Sequence, residues 1–353
     1  MKKSNTHAKN GAILVGLVNC TTNVVLQLDE MGKNPDLKFD FWRMTVATFK
    51  GAAIGGIGGY ALGLYMDYQN SQVQPINTNP TLKDIAEEAS LDEKDPLYLE
   101  YQRQSQVLCN KIYKHYGSRL KSRPFYYGSS VKGTALKGSH DLDIALQFWY
   151  DSFGSLGEIY DDLWLLLNSF KKEGLIWSIR LQNNSIGVFL NVYGEKLKID
   201  FVPVQVTKKK SSSGYLRVNR QSLFSDKSTI KKTDVKLLTS VRFTPGEKEV
   251  IVLLKKWKKE NGIPISSYLL EQLVCRTYHE VPGLRNWSIS KRIKGIARFI
   301  SENFYSIRMT SPENSNNNLT DLDCDQKTEI VNAFNRLYRQ YEYQPNSIIE
   351  IFQ

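Results

Sequence analysis

Two aspartates set inside an apolar run constrain this chain more than any other feature. Gly128 to Phe148 reads GSSVKGTALKGSHDLDIALQF, a glycine-serine turn followed by Gly133-Thr134 and then by Asp141 and Asp143 with one leucine between them. In a β-strand, residues i and i+2 point to the same face. The pattern therefore predicts both carboxylates projecting one way while Leu142 and Ile144 anchor the strand in a core. Carboxylates held that close repel one another unless a cation sits between them. Hard oxygen ligands favour Mg²⁺ or Mn²⁺, ions that phosphates also coordinate. Gly128 and Ser129 let backbone N–H groups approach a polyphosphate with no bulky side chain in the way. The stretch is a candidate site for metal-assisted attack on a nucleoside triphosphate.

If two ions are to be held, a third acid is expected on a neighbouring strand, and Leu197 to Val204 (LKIDFVPV) supplies it. Leu197, Ile199 and Phe201 fall on one face and leave Asp200 on the other, where an aspartate is disfavoured in a strand and costly to bury unpaired. An isolated D-x-D arises often by chance and usually decorates a loop or hairpin. The glycine turn upstream and the strand aspartate downstream turn this one into a catalytic expectation.

GSSVKGT followed by DLD and then KIDFVPV resembles the G-S-x-x-x-G-T, D-x-D, D signature of the DNA polymerase β-like nucleotidyltransferases. Leu253 to Trp257 (LLKKW) and Ser266 to Val274 (SSYLLEQLV) resemble the helical-domain motifs of the branch containing oligoadenylate synthases, cyclic GMP-AMP synthases and bacterial CD-NTases. The resemblance runs from about Leu97 to the C-terminus. It implies an α+β fold, a nucleotidyltransferase palm of mixed sheet and helices followed by a helical domain. It also implies that Asp141, Asp143 and Asp200 are catalytic and hold two Mg²⁺ or Mn²⁺ ions, and that Gly128, Ser129, Gly133 and Thr134 bind the nucleotide. Lys255 would reach the triphosphate tail, Ser267 would contact the nucleotide, and Tyr268 would stack on its base. Without the resemblance, Lys255 reads as a solvated lysine and the serines as a helix cap. Glu271 reads as structural, pairing within the helical domain. One departure is visible: the family commonly has serine immediately before the first aspartate, and here His140 stands there, with Ser139 one place earlier.

At 353 residues the chain is long enough for two or three units, and its formal net charge of +11 suits polyanionic partners such as nucleotides, nucleic acid or acidic lipid. Much of the charge lies between Lys208 and Lys259, including Lys208-Lys209-Lys210 and Lys231-Lys232; any one of these lysines also reads as part of a solvated face. Cys20, Cys109, Cys275 and Cys324 are scattered without a C-x-x-C, which argues against a zinc site or a disulfide framework and for a reducing compartment.

Residues 1–70 differ in kind from the rest. Gly11 to Leu28 is apolar but diluted by Asn19, Thr21, Thr22, Asn23 and Gln27, and Gly51 to Met66 carries no charge. Gly51, Gly55, Gly59 and Gly63 recur every fourth residue, the packing device of membrane helices. Neither segment clearly reaches the roughly 20 apolar residues a bilayer demands. The preferred reading is a hydrophobic, glycine-zipper helical hairpin that associates with a membrane through residues 11–66; the competing one is a soluble or self-associating hairpin. Lys2, Lys3 and Lys9 before the first segment favour both ends in the cytoplasm, which would tether a cytoplasmic catalytic domain to the inner face of the cytoplasmic membrane. A cleaved signal peptide is disfavoured, because Gly11 to Leu28 turns polar towards its end and lacks a small-x-small cleavage site.

Residues 71–80 read as a polar linker with two prolines, 81–210 as the palm with a long N-terminal helix, and 211–353 as a mainly helical nucleotide-binding domain. Helices are expected over Thr81 to Glu93 and Pro96 to Arg119, the latter with Tyr98, Tyr101, Val107, Ile112 and Tyr116 in the core. A further helix is expected over Leu156 to Phe170. Strands follow over Ile176 to Leu181, Ile186 to Tyr193 and Leu197 to Val204, with Asn183-Asn184 turning between the first two. Helices return over Thr244 to Glu260, Tyr268 to Tyr278 and Lys327 to Tyr343. Ser311 to Gln326 reads as an exposed asparagine-rich loop, and its aspartates lack the glycine and terminal glutamate of a calcium loop.

The function expected is template-independent nucleotidyl transfer. An acceptor hydroxyl attacks the α-phosphate of a nucleoside triphosphate and pyrophosphate leaves. By resemblance the product is a cyclic or linear oligonucleotide second messenger of bacterial antiphage defence, read by a downstream effector. No visible motif requires a nucleic-acid activator. The alternatives are transfer to RNA, to a DNA oligomer or to a protein, or a membrane-active protein with a nucleotide-sensing domain.

Overall fold

The computed structural model describes residues 77–138, 141–208, 211–219 and 228–353. The hydrophobic hairpin expected over 1–70, the linker up to residue 76, Ser139-His140 and Lys209-Lys210 lie outside the described residues. Among the described residues, no helix is long and apolar enough to cross a membrane.

The chain from Asn77 onward forms one compact unit with two principal cores. The first is built on a mixed sheet: β1 (Phe125–Tyr127), β2 (Leu142–Phe148), β3 (Ser178–Leu181), β4 (Ile186–Val192) and β5 (Glu195–Val206) lie in the order β1-β2-β5-β4-β3. Only β2 and β5 run parallel; the other pairs are antiparallel. Leu142, Ile144, Leu146 and Phe148 of β2, with Ile186, Val188 and Leu190 of β4 and Ile199 and Phe201 of β5, point to one face. That face is covered by two helices, the long α2 (Pro96–Tyr116) and α4 (Leu156–Lys172). The buried stripe of α2 is Tyr98, Tyr101, Ser105, Leu108, Ile112 and Tyr116, the three-and-four spacing of one helix face. Val107 falls off that stripe and is exposed, and Leu108 takes the core place expected of it.

The second core is helical. It packs α6 (Pro245–Glu260), α7 (Ser267–Glu280), α8 (Ile289–Asn303), α9 (Cys324–Tyr343) and α10 (Ile348–Phe352). Thr244 begins α6 with a full capping box: its hydroxyl accepts from Glu247 N, and the Glu247 carboxylate accepts from Thr244 N. Helix α1 (Asn79–Ala89) belongs here and not to the palm. Leu82, Ile85 and Ala86 bury against α6 and α8, and Asn79 Oδ1 accepts from Ile289 N at 2.9 Å.

Two boundaries differ from the sequence expectation. The sheet continues past residue 210 through a hairpin of β6 (Gly214–Asn219) and β7 (Ser228–Thr233), which pairs with the far end of β5 and leads into α5 (Val235–Ser240). β6 alternates only over Leu216 and Val218, and β7 is polar with two lysines, so pairing more than pattern makes them strands. The asparagine-rich stretch near the end likewise forms a small hairpin, β8 (Thr310–Ser311) with β9 (Asn314–Asn318), and Asp323 is spent capping α9.

Candidate active site

Asp143 on β2 and Asp200 on β5 are register partners in the parallel pair, so the two side chains stand side by side on the sheet face away from α2 and α4. The same row passes through Tyr127 on β1, Gly187 on β4 and Arg180 on β3. Asp141 lies one residue before β2, not within it, and is half exposed. It joins the group through Lys198, whose Nζ is 2.7 Å from Asp141 Oδ2 and 2.9 Å from Asp200 Oδ2. Tyr101, fully buried on α2, staples the two acid-bearing strands: its hydroxyl donates to Lys198 O and accepts from Leu142 N at 3.3 Å. Neither Lys198 nor Tyr101 stands out in the sequence, where Tyr101 reads as core.

The electrostatics follow from this crowding. Burial, then the charges of Asp200 and Asp141, push the Asp143 carboxyl up to about 7, although Lys198 and Lys132 pull the other way. Burial also raises Asp200 against the opposing hydrogen bond from Lys198. Burial disfavours the Lys198 ammonium, but Asp141 and Asp200 outweigh it and hold its pKa above the ordinary value. Burial and the two aspartates raise the Tyr127 phenol well above its usual range.

Among the described residues, no three His, Cys, Asp or Glu side chains are drawn together as a closed set of ion ligands. Lys198 stands between two of the three acids and supplies the positive charge instead. The donor set nevertheless fits a hard divalent ion. Asp143 and Asp200 stand side by side, Asp141 is tied to them through Lys198, and Asp200 Oδ1 is buried without a hydrogen-bond partner.

The glycine-serine turn abuts these acids. Gly128 has φ of 80° and begins the one-turn helix α3 (Ser129–Lys132); Gly133 ends it in the left-handed region. A Cβ on Gly128 would stand 2.2 Å from Asp143 Oδ2, so both backbone angle and space demand glycine there.

Beyond the turn the structure departs from the sequence reading. Lys132, Thr134, Lys255 and Glu271 form a cluster in which none is more than 5 % exposed. Glu271 Oε2 accepts from Lys132 Nζ at 2.8 Å, and Oε1 accepts from Thr134 Oγ1 at 2.8 Å and from Lys255 Nζ at 2.6 Å. Lys255 Nζ also donates to Thr134 O and Oγ1 at 3.0 and 3.1 Å, so its three N–H groups are used inside the protein. Thr134 and Lys255, expected to meet the nucleotide, are thus engaged with Glu271. Glu271 in turn pairs across to the palm, not only within the helical domain. Burial opposes its charge, but Lys255 and Lys132 hold its carboxyl below the ordinary value.

Ser266 caps α7 by accepting from Leu269 N at 3.1 Å, which leaves the exposed Ser267 as the first helical residue. Ser267 lines a cavity of about 340 Å³ together with Ser129, Thr134, Lys255, Lys258 and Lys259. Lys258 and Lys259 were not singled out in the sequence, because their place outside the apolar stripe of α6 reads as solvated. Tyr268 is half-buried, donates to Glu313 Oε2 at 2.8 Å, and has the Lys132 ammonium 5.1 Å from its ring centre. A second cavity, of about 1130 Å³, borders the acids themselves and is lined by Tyr127, Asp143, Lys198 and Asp200 with Trp164, Arg180 and Arg217.

No protein-family model matches the chain, and no curated protein matches it. Solved structures do. CdnC of E. coli MS115-1 in complex with HORMA-deltaN is 17% identical, with 78% of this chain and 94% of that chain covered and a TM-score of 0.59. CdnC of the same strain with ATP is 18% identical over 79% of this chain and 100% of that one, also at 0.59. The CD-NTase CdnG of Bradyrhizobium diazoefficiens in complex with GTP is 13% identical over 76% and 92%, at 0.57. The chain has the fold of these CD-NTases, the polymerase β-like palm with a helical domain.

Proposed function

We propose that this chain is a template-independent nucleotidyltransferase that joins nucleotides from nucleoside triphosphates with release of pyrophosphate. The observation that carries the reading is the register pairing of Asp143 with Asp200 beside the Gly128 turn, with Asp141 tied to them through Lys198. The relatives of the same fold were solved with ATP and with GTP, which supports nucleoside triphosphates as substrates.

The two cavities divide the work. Ser129, Ser267, Lys258 and Lys259 present hydroxyls and ammonium groups to a polyphosphate tail in the smaller one. The larger holds the acceptor, where Trp164 offers a face to a base and Arg180 and Arg217 offer charge to its phosphates. Asp141, Asp143 and Asp200 are the residues that would hold Mg²⁺ or Mn²⁺. Such ions, when bound, neutralise the phosphate charge and lower the pKa of the attacking hydroxyl. Asp200 would bind the ion that activates the acceptor and lie nearest the acceptor's departing proton. Tyr101 fixes the spacing of the two strands, and such positioning supplies much of the rate in displacements of this kind.

The finer reading is that the product is a cyclic or linear oligonucleotide second messenger serving antiphage defence through an effector, with residues 11–66 tethering its synthesis to a membrane. Purified protein incubated with α-labelled ATP, GTP, CTP and UTP and Mg²⁺ or Mn²⁺ tests it. Pyrophosphate release and a product resistant to phosphatase and cut by linkage-specific nucleases are expected. No release from any combination contradicts the reading. Flotation of the full chain with vesicles, compared with a chain lacking residues 1–70, tests the tether.

A further inference from the structure

Glu271 joins the two cores at the nucleotide cavity. Its carboxylate sits on α7 and holds three groups: Lys132 and Thr134, on either side of Gly133 at the end of the glycine-serine turn, and Lys255 on α6. Ser129 begins that turn. Glu271 lies four residues after Ser267, one helical turn further along α7. Ser129 and Ser267 line the same cavity, one from the palm and one from the helical core. Both are therefore anchored, within a few residues, to one buried carboxylate.

We propose that Glu271 is a positioning residue for the nucleotide, clamping the Gly128–Thr134 turn to α7 so that Ser129 and Ser267 face each other at the spacing a triphosphate tail requires. The inference rests on reading this cavity as the triphosphate site. Lys255, with every donor used inside the cluster, acts through its charge and its hold on Thr134, not by touching the ligand. The cluster carries two ammonium groups on one carboxylate, and two of its members, Thr134 and Lys255, line the cavity an anion would enter. Removing the carboxylate leaves two buried cations without their shared partner, which is far less tolerable than losing an exposed pair. The turn then loses its charged anchor on α7 and keeps only the contact of Lys132 with the Tyr268 ring.

A tie that only held the domains together would change stability and leave the affinity of folded molecules alone. A clamp that sets the cavity must change KM. Glu271→Gln keeps the side chain's size and removes its charge; Thr134→Val is a milder variant that removes one hydrogen bond to Glu271 and one acceptor for Lys255. In the full chain, at a temperature where each variant is folded, Glu271→Gln should raise KM for the nucleoside triphosphate by about 10-fold or more, as a loss of uniform binding does. kcat should change much less, since the interaction lost is one made in the ground state as well. Thr134→Val should move KM the same way by less, and Glu271→Asp should recover part of the loss.

Hydrogen exchange tests the clamp without nucleotide: amides 128–134 should exchange faster in Glu271→Gln than in wild type while β2 and β5 stay protected. Wild-type KM together with wild-type exchange in a folded Glu271→Gln overturns the proposal. Should that variant not fold, the same result in Thr134→Val overturns it. A wild-type protein that releases pyrophosphate from no nucleotide contradicts the nucleotidyltransferase reading instead, and the exchange of amides 128–134 then decides the clamp alone.

Discussion

Replacing Asp143 by asparagine should stabilise the protein in the absence of metal while removing its turnover. Burial and the charges of Asp200 and Asp141 lift the Asp143 carboxyl from 3.8 to about 7. The fold thus prefers the protonated acid, and it bears a cost wherever the acid is ionised. At 1.36 kcal/mol per unit of pKa, about three units set a ceiling of about 4 kcal/mol. Partial exposure of the side chain and relaxation of its neighbours reduce this to about 2 kcal/mol. For a domain of this size that is roughly 4–8 °C in Tm. The sign follows from linkage: a carboxyl raised in the folded state costs stability fully above its folded pKa, near 7, and not at all below its unfolded value of 3.8. Asparagine should therefore lead wild type by several degrees at pH 8, by less at pH 6, and not at pH 4. Added Mn²⁺ should close the gap at pH 8 by stabilising wild type more than the variant. Scanning calorimetry of the two proteins across this range is the assay. An Asn variant that melts at or below wild type at pH 8, or a difference that ignores pH, would refute the claim that Asp143 is a crowded, costly carboxylate.

Gly128→Ala should cost more than about 2 kcal/mol and most of the activity, because the added methyl falls on Asp143 and the backbone angle resists any side chain; chemical denaturation and pyrophosphate release measure the two losses. Lys198→Met should lower the Tm of the metal-free protein by leaving Asp141 and Asp200 without their counter-charge, and Mg²⁺ should restore more of it than in wild type. Thr244→Ala should remove the α6 cap for about 1 kcal/mol with KM and kcat unmoved, serving as a stability control remote from the chemistry. Asp141→Ala should abolish turnover with the fold intact, since it lies outside β2 and is half exposed.

The acids themselves were legible in the sequence. Asp200 interrupts an alternating strand, and β5 does place Ile199 and Phe201 in the core with Asp200 on the opposite face. The palm's helices and central strands were legible for the same reason, since burial of one face imposes a period. Period could not supply the partners. Lys198 does share a strand face with Asp200 two residues on, but its second acid lies 57 residues away and the glutamate of Lys132 lies 139 away, and no local pattern marks those two pairings. Lys255 shows the cost: its motif suggested a ligand contact, while the fold gives all its donors to Thr134 and Glu271. The β6 and β7 hairpin was hard to see because the apolar alternation of β6 is limited to Leu216 and Val218, and the polar β7 becomes a strand only by pairing with β6.

The central claim is that Asp143 and Asp200, paired across two parallel strands, perform nucleotidyl transfer together with Asp141. Asp200→Asn keeps the shape of the side chain and removes its charge, so its rate of pyrophosphate release beside wild type, with labelled triphosphates and Mg²⁺ or Mn²⁺, tests that claim most directly. The account predicts a loss of at least about a thousandfold in a variant whose circular dichroism and melting are those of a folded protein. Release at the wild-type rate would contradict it.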